Sequence, residues 1–576
     1  MPINNNDVAQ IFNQIADLLE ILNENQFRIR AYHNAARTVA SLSRSVADLA
    51  AQKDGFKGMP GIGEDLADKI RTIVKTGTLP LLAQLERKVP AGLTTLMRIR
   101  GLGPRKASIL YKKLHVSTPE ALKEAAEKGK IAKLEGFGAK TQQAILDELG
   151  RTKLTELEPQ RFKLAVAEQI VEPVLSALTK VKGVEKAIIA GSYRRRLETV
   201  GDVDILVTAA KSAAVMDRFV KHEDVTQVLA QGASKSAVVL RGGLQVDVRV
   251  VPAESFGAAL VYFTGSKAHN IAIRLMAVKK KLKINEYGVF RGAKSVAGRT
   301  EAEVYDTIGL PLIPPELREN RGEIEAAKKG TLPRLIEQRD LKGDLHTHTK
   351  TSDGKYSTAE MAEAAQKRGY SYMAVTDHSR HVSVARGMDA KGLAQKIKEI
   401  DGLNKKLKGF TVLKSIELDI LVDGKLDLPD DILKELDLVV CSIHYNFNLP
   451  RAQQTERVIR AMDNKLVNIF GHPSGRLINE RPAYDIDLEK VMKAAKERGC
   501  FMELNAHPDR LDLDDVHCQL AKEMGLKVAI STDAHSISDL DLIRYGVGQA
   551  RRGWLEAKDV INTRGLDELR KLLKRA

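Results

Sequence analysis

Cysteine is scarce in this sequence. Its 576 residues include only Cys441, Cys500 and Cys518, and no two of them form a Cys-x-x-Cys pair. The sequence therefore indicates neither a disulfide framework nor a zinc site built from thiolates, and it fits a reducing compartment.

Long apolar runs are also absent. No run reaches the roughly 18 residues that a membrane span requires. The first ten residues, MPINNNDVAQ, lack the basic-then-apolar pattern of a secretory signal. We therefore expect a cytoplasmic protein with no membrane partner.

The overall composition is typical of folded proteins. Hydrophobic residues make up 43% and charged residues 29% of the chain, which argues against disorder. At about 150 residues per domain, the length predicts three or four domains. The net charge of +16 favours a polyanionic partner such as nucleic acid.

Three short repeats organise the first 150 residues. Segments 58–70, 98–110 and 134–146 each contain Gly-x-Gly with an apolar residue at x, followed by a helix-like stretch. One copy would indicate only a tight turn, but three copies resemble helix-hairpin-helix elements, whose exposed helix N-termini bind the DNA backbone without reading its sequence. The glycines expected to contact DNA are Gly61, Gly63, Gly101, Gly103, Gly136 and Gly138.

Three aspartates lie on two predicted strands. In 187–208, Asp202 and Asp204 are two residues apart and therefore share one face of their strand. Segment 244–251 has the same alternation and contributes Asp247. Three carboxylates on neighbouring strands would form a site for two magnesium ions, which activate a hydroxyl and neutralise a leaving phosphate.

The context of these aspartates separates two interpretations. An Asp-x-Asp motif alone would indicate only an acidic strand edge at the surface. Here Gly191 and Ser192 precede it by ten residues, with Arg194 and Arg195 placed to receive a triphosphate. The combination favours nucleotidyl transfer.

The motifs GSYRRR, GDVDIL, QVDVRVV and YFTGSKAHNIAIR follow one another in an order that resembles the family X DNA polymerases. This group includes the β-type repair enzymes, and the resemblance covers about residues 5–315. It implies a polymerase that uses Mg²⁺ and dNTPs to fill gaps in primed duplex DNA. The residues it implies are Asp202, Asp204 and Asp247 for metal binding and catalysis, Gly191, Ser192 and Arg195 for the phosphates, Tyr262, Phe263 and Gly265 for the sugar, and Asn270 and Arg274 for the base pair.

Lys69 lies where this family carries the lysine of a deoxyribose-phosphate lyase. Arg28 and Asp65 stand where the β-type enzymes have lysines. A nucleophilic lysine needs surroundings that lower its pKa. Both interpretations of Lys69 therefore stay open, a lyase nucleophile and a phosphate contact.

Histidines concentrate after residue 340, where nine of the thirteen lie. Several follow apolar strands, and polar residues at strand ends are the layout of a β/α-barrel active site. Stretch 343–354, GDLHTHTKTSDG, taken alone fits a metal site or a solvated polar turn equally well. The nine candidate ligands are His346, His348, Asp353, His378, Glu417, His444, His472, Asp533 and His535.

This ligand set resembles that of the PHP (polymerase and histidinol phosphatase) domain, a distorted β/α barrel with up to three metals. All nine ligand positions of that family are filled, which implies an active phosphoesterase. Mixed nitrogen and oxygen donors suit a cluster of two to three Mn²⁺ or Zn²⁺ ions. Beside a polymerase, the implied activity is a 3′→5′ exonuclease, with abasic-site endonuclease activity as a further option.

We therefore expect a multidomain α+β and α/β protein. It combines a helical helix-hairpin-helix N-terminal region, a nucleotidyltransferase-type palm with a mixed sheet, and a C-terminal distorted β/α barrel. The expected parts are an N-terminal helical, lyase-like DNA-binding domain (1–80), a helix-hairpin-helix domain (81–155), the palm (156–255), a nucleotide- and base-pair-binding subdomain (256–315), a linker (316–340) and the PHP domain (341–576).

The expected function is that of a monomeric DNA repair polymerase with a metal-dependent nuclease. Two alternatives remain at this point. The barrel could hydrolyse a small phosphate monoester, or the whole chain could be a non-enzymatic scaffold for DNA repair. A scaffold would have no need of complete carboxylate and ligand sets.

Overall fold

A computed structural model of the protein describes residues 5–40, 42, 46–59, 61–90, 93, 96–97, 99, 102–151 and 161–574. The chain forms two compact units, Met1–Gln160 and Arg161–Ala576. Within the described ranges, none of the helices has both the length and the apolarity needed to cross a membrane.

The first unit is helical. A single apolar cluster holds it together, with Phe12, Ile15, Ile70 and Leu110 completely buried. Its helices are Asn5–Ile21, Gln26–Ala40, Val46–Ala50, Glu64–Thr76, Pro80–Lys88, Pro104–Leu114, Pro119–Glu127 and Ala139–Arg151.

The three repeats form turns that lead into helices, as their pattern predicts. A helix begins directly after Gly63, Gly103 and Gly138. Gly61 and Gly136 have φ angles of +77° and +81°, a conformation that side chains with a Cβ rarely adopt. The apolar residues between the glycines, Ile62, Leu102 and Phe137, are buried and anchor each turn in the core. Gly101 lies outside the described residues.

The second unit opens with a mixed five-stranded sheet of order β2-β4-β7-β6-β5. Strand β4 pairs antiparallel with β2 and parallel with β7. Helices Leu164–Thr179 and Ser212–Val220 cover one face of the sheet, and helix Phe256–Thr264 packs against part of the other face. The strands are β1 (Phe162–Lys163), β2 (Val184–Ile189), β3 (Thr199–Val200), β4 (Asp202–Ala209), β5 (Val225–Gln231), β6 (Lys235–Leu240) and β7 (Gln245–Val250).

A smaller subdomain follows the sheet. Strands β8 (Lys283–Asn285), β9 (Gly288–Arg291) and β10 (Lys294–Ala297) form an antiparallel sheet. Its apolar core is shared with neighbouring helices, which are Phe256–Thr264, Lys267–Lys279 and Glu301–Ile308.

The C-terminal part is a barrel of parallel strands in two sheets, β11-β12-β13 and β14 to β18. Single bridges, Thr347 to Ala534 and His378 to Glu417, join the two sheets. The strands are β11 (Gly343–Thr347), β12 (Tyr372–Val375), β13 (Thr411–Lys414), β14 (Glu417–Asp419), β15 (Val440–Ser442), β16 (Ile469–Phe470), β17 (Phe501–Asn505) and β18 (Val528–Ser531). This is the distorted β/α barrel that the sequence predicts.

Helices connect most of the barrel strands and cover their outer face. Outward-facing residues such as Met373 and Val375 pack against these helices, while Tyr372 and Ala374 face a separate inner cluster. The helices are Thr358–Lys367, Ala390–Asn404, Asp430–Leu433, Arg451–Asp463, Leu488–Arg498, Asp515–Met524 and Ile543–Arg552. The last helix, Leu566–Leu573, instead packs Leu569 and Leu573 in the inner cluster.

The barrel and the five-stranded sheet share a hydrophobic core. Ile478, Leu511 and Tyr545 of the barrel belong to the apolar cluster of the sheet and are at most 7% exposed. Residues 316–340, expected as a linker, form an ordered connection that includes helix Glu323–Lys329. The domain boundaries within 161–576 stay a prediction, because this unit is compact throughout.

Candidate active sites

Three carboxylates share the open face of the five-stranded sheet. In the parallel register of β4 and β7, Asp204 lies directly opposite Asp247, and Asp202 lies opposite Gln245. Val203, between the two aspartates of β4, is buried on the other face. The alternation expected from the sequence therefore brings all three carboxylates together.

The crowding of these carboxylates affects their protonation. Burial raises the pKa of Asp204 to about 6, and repulsion from Asp202 and Asp247 adds to the rise. Arg249 offsets part of the charge, with nitrogens 3.9 Å from carboxylate oxygens of Asp204 and Asp247. Its guanidinium lies 4.4 Å from the centre of the Phe263 ring. Several oxygen donors that repel one another fit divalent cations such as Mg²⁺.

A tight loop lies beside Asp204. It follows β2, and the N–H of Ala190 donates a hydrogen bond of 2.8 Å to the carbonyl oxygen of Asp204. Gly191 has a φ of +65°, and a Cβ there would lie 3.7 Å from Oδ2 of Asp204. The loop continues as the short helix Gly191–Arg194, which includes Ser192. Gly191, one of the three residues expected at the phosphates, is therefore next to the carboxylates.

The two arginines of this loop are held by acidic residues far along the chain. Arg194 forms two hydrogen bonds with Glu301, of 2.8 and 2.7 Å. Arg195 donates from Nε to Glu319 at 2.9 Å and from Nη1 to the carbonyl oxygen of Thr264 at 2.5 Å. Sequence reasoning missed both glutamates, because more than a hundred residues separate each pair.

The residues expected at the sugar and the base pair lie at the end of one helix and the start of the next. Tyr262 and Phe263 form an edge-to-face pair with ring centres 5.0 Å apart, and Gly265 follows with a φ of +69°. The side-chain amide of Asn270 donates a hydrogen bond of 2.7 Å to the carbonyl oxygen of Tyr262. Arg274 is exposed one helical turn further on.

The nine candidate ligands of the barrel converge at one end of it, most of them at or just after the C-terminal ends of strands. Glu417 lies at the centre: its carboxylate is 2.9 Å from Nδ1 of His378 and 2.9 Å from Nε2 of His472. It is also 3.3 Å from Nε2 of His444 and 3.4 Å from Nε2 of His346. The structure therefore brings these residues together from strands that are distant in sequence.

Eight of the nine residues fall into three overlapping donor groups, and His472 belongs to none of them. Within each group, one donor atom from every residue lies within 4.8 Å of the others. His348 belongs to two groups, and so does His378. The groups are His348, Asp353, His378 and His535; His346, His348 and Asp533; and His378, Glu417 and His444. Shared ligands of this kind suit a cluster of ions better than one isolated ion.

The chemistry of these donors fits bound metal. Buried ring nitrogens of His346, His348, His378, His444 and His472 have no hydrogen-bond partner among the described residues, and such groups are costly without one. Burial alone would raise the pKa of the central Glu417 carboxyl, but the surrounding histidines, led by His444, hold it well below its usual range.

Glu503 supports this cluster and was missed by the sequence analysis. Its carboxylate accepts hydrogen bonds from Nδ1 of His346 at 2.7 Å and from the N–H of His472 at 2.6 Å. A proton on Nδ1 leaves Nε2 of His346 as the metal-binding nitrogen. The signal that could have revealed Glu503 is its position as a fully buried acid inside an apolar strand.

Run 411–420 divides into two strands, β13 and β14, which belong to different sheets. Glu417 begins β14. The break after Lys414 bends the chain, so that the Glu417 carboxylate points toward the histidines.

Lys69 lies in the first unit, on helix Glu64–Thr76. It forms an ion pair with Asp65, and its Nζ lies 5.3 Å from the centre of the Tyr32 ring. Burial alone lowers the pKa of Lys69, but hydrogen bonds with Asp65 and Tyr32 raise it above its ordinary value. These surroundings stabilise the ammonium form, which is not nucleophilic.

We therefore expect no Schiff base between Lys69 and an abasic sugar. The measurement is borohydride trapping on a substrate with an incised abasic site, for the wild type and for Lys69→Ala. We expect no trapped adduct above background in either protein, because the ammonium form cannot attack. A wild-type adduct that disappears in Lys69→Ala would contradict this expectation.

Comparisons with known proteins cover nearly the whole chain. Family models match a helix-hairpin-helix domain at residues 3–79, a tandem of such elements at 93–151, the palm of DNA polymerase beta at 164–275, its thumb at 259–319 and a PHP domain at 344–507.

Some relatives match nearly the whole chain, and others match only part of it. The chain is 40% identical over 573 residues to the DNA polymerase/3′-5′ exonuclease PolX of Bacillus subtilis (strain 168), with 99% of both chains covered. It is 36% identical over 236 residues to a probable phosphatase of Thermoanaerobacter sp. (strain X514), which covers 39% of this chain and 87% of the phosphatase. It is 26% identical over 349 residues to DNA polymerase lambda of Arabidopsis thaliana, which covers 54% and 62%.

The aligned carboxylates, the nine-ligand cluster and the whole-length similarity agree with one another. The chain belongs to the family X DNA polymerases, in the group whose members carry a C-terminal PHP domain.

Proposed function

We propose that this chain fills short gaps in DNA by template-directed nucleotidyl transfer and removes 3′-terminal nucleotides with its barrel. One observation carries the proposal. Unit 161–576 contains three carboxylates on adjacent strands and, in the barrel, nine candidate ligands, eight of which fall into the three donor groups. The first unit supplies helix-hairpin-helix elements that grip the DNA backbone.

In the polymerase site, Asp202, Asp204 and Asp247 would hold two Mg²⁺ ions. These ions supply activation of the primer 3′-hydroxyl and neutralisation of the departing pyrophosphate. The all-oxygen donor set favours Mg²⁺. The protein's own part is to keep these carboxylates on adjacent strands and to partly offset their charge with Arg249.

The neighbouring loop and helix would position the nucleotide. Gly191 lies beside Asp204, and the backbone N–H groups of Gly191 and Ser192 would bind the triphosphate there. The positively charged guanidinium of Arg195 lies next to the turn at Gly265. We assign the sugar to Tyr262, Phe263 and Gly265, and the base pair to Asn270 and Arg274, which share a face of their helix.

In the barrel, the nine ligands would hold two or three ions. Bound metal there supplies an activated water and stabilises the leaving oxygen in phosphoester hydrolysis. Donors that include both imidazole and carboxylate favour Mn²⁺ or Zn²⁺ over Mg²⁺. Glu503 holds the ring of His346 in the required orientation.

A second candidate substrate for the barrel is a small phosphate monoester. The 36% identity to a probable phosphatase over 236 residues favours it. A non-enzymatic scaffold is a poorer proposal, because both sets of functional side chains are complete. The two barrel substrates are open to direct comparison.

The test uses one labelled primer on gapped DNA with Mn²⁺, beside p-nitrophenyl phosphate under the same conditions. We expect extension of the primer with dNTPs and stepwise shortening of it without them. We expect shortening to exceed hydrolysis of the small ester in kcat/KM. The reverse order would favour the phosphatase alternative, and absence of extension would contradict the polymerase assignment.

A further inference from the structure

One helix of the barrel packs against two different parts of the molecule. In Ile543–Arg552, the residues Ile543, Val547 and Ala550 pack in the barrel core. Tyr545, Gly548 and Arg552 follow at spacings of three and four and therefore lie on another face. That second face contacts the polymerase part of the same unit.

Tyr545 and Gly548 establish this contact. Tyr545 is 4% exposed within the apolar cluster of the five-stranded sheet, and its hydroxyl hydrogen-bonds to Glu168 of helix Leu164–Thr179. A Cβ at Gly548 would lie 3.4 Å from Cβ and Cγ of Arg196. Glycine therefore lets the helix lie close to the end of the loop that carries Gly191, Ser192 and Arg195, which we call the phosphate loop.

Arg552 reaches the same loop with its side chain. Its Nη1 donates to the carbonyl oxygen of Arg195 at 2.9 Å and to Oε1 of Glu319 at 3.0 Å. The same Oε1 accepts the hydrogen bond from Nε of Arg195. Arg552 thus fixes the backbone of Arg195 and shares the carboxylate that holds its side chain.

The other end of this network is anchored in the barrel. Nη2 of Arg552 donates to Asp515 at 2.7 Å, and Arg321 donates to the same carboxylate oxygen at 2.5 Å. Arg551, the preceding residue, forms an ion pair with Glu316 at 2.8 Å. Arg552 is only 6% exposed, and its removal would take this donor from the carbonyl oxygen of Arg195 and one of two arginine partners from Glu319 and from Asp515.

We propose that Arg552 of the barrel is a positioning residue for nucleotide binding by the polymerase. The inference rests on the proposed function, in which Arg195 binds the triphosphate. With Arg552 present, Glu319 divides its negative charge between two guanidiniums, and Arg195 keeps attraction for phosphate. Without Arg552, the loop loses an anchor and Glu319 competes with the nucleotide for Arg195 alone. Both effects weaken nucleotide binding.

The test compares Arg552→Gln with Arg544→Gln and Arg195→Gln in single-nucleotide insertion. Arg544 is the matched control, because it lies on the same helix and pairs with Glu168 of the polymerase part, away from the phosphate loop. We expect Arg552→Gln to raise the KM for dNTP about threefold to tenfold. We expect kcat and exonuclease activity to stay near wild type, and Arg544→Gln to leave KM unchanged.

The remaining variants distinguish a failure of the proposed function from a failure of the positioning inference. If Arg195→Gln leaves the KM for dNTP unchanged, the phosphate role of Arg195 in the proposed function is wrong. If Arg195→Gln raises KM while Arg552→Gln behaves like Arg544→Gln, the positioning inference is overturned. If Arg552→Gln loses both activities, Arg552→Lys decides: with exonuclease retained, a raised KM supports the inference and an unchanged KM overturns it.

Discussion

Asp247→Asn is expected to lower primer extension by about a thousandfold or more, because transition-state charge loses a direct stabilising group. Asparagine keeps the size of the side chain but removes one of the three negative charges. The same variant should shorten a primer at the wild-type rate in the absence of dNTPs, since the barrel ligands are untouched. The measurement is extension and degradation of one labelled primer on gapped DNA.

A matched control is Asp217→Asn. Asp217 lies on helix Ser212–Val220, pairs with Lys221 and is largely exposed. It undergoes the same loss of charge on the same part of the molecule, and we expect both activities to persist. Full extension by Asp247→Asn would remove this carboxylate from the catalytic set.

His348→Ala is expected to lower the 3′→5′ exonuclease activity by at least about 100-fold. His348 belongs to two of the three donor groups, and both of its ring nitrogens are buried without a hydrogen-bond partner in the described part of the chain. Its loss therefore weakens two groups together. Primer extension should stay at the wild-type level, and the metal content of the dialysed protein should fall.

His517→Gln is the control for this variant. His517 also lies in the barrel, but its Nδ1 is bound to Asp514 at 2.8 Å, and it belongs to none of the three donor groups. We expect it to keep both activities. If degradation survives in His348→Ala, the barrel is not the nuclease, and hydrolysis of a small phosphate ester becomes the better proposal.

Local patterns were enough to predict the features that depend on strand geometry. The two-residue alternation placed Asp202 and Asp204 on one face and put Asp247 on a strand of the same kind. Histidines after apolar strands predicted the barrel and the convergence of candidate ligands, because the C-terminal ends of parallel strands meet at one edge. The sequence alone was therefore sufficient to predict that the three aspartates lie together and that the histidine-rich group lies together.

Features that depend on distant contacts could not be predicted. Glu319 and Arg552 meet Arg195 across 124 and 357 residues, and neither Glu319 nor Arg552 lies in a distinctive local motif. The division of 411–420 between two sheets follows from closure of the barrel, which no short window of sequence contains. Part of the rise in the pKa of Lys69 comes from Tyr32, a residue of another helix.

The shared apolar core has a consequence for how this chain can change over evolutionary time. Ile478, Leu511 and Tyr545 of the barrel belong to the apolar core of the five-stranded sheet. A deletion that removed the barrel would therefore expose apolar surface on the remaining enzyme. Such surface promotes aggregation. Point mutations of the candidate ligands could therefore abolish the nuclease activity while the barrel keeps its structural role. Deletion of the whole barrel would require compensating polar substitutions on the sheet.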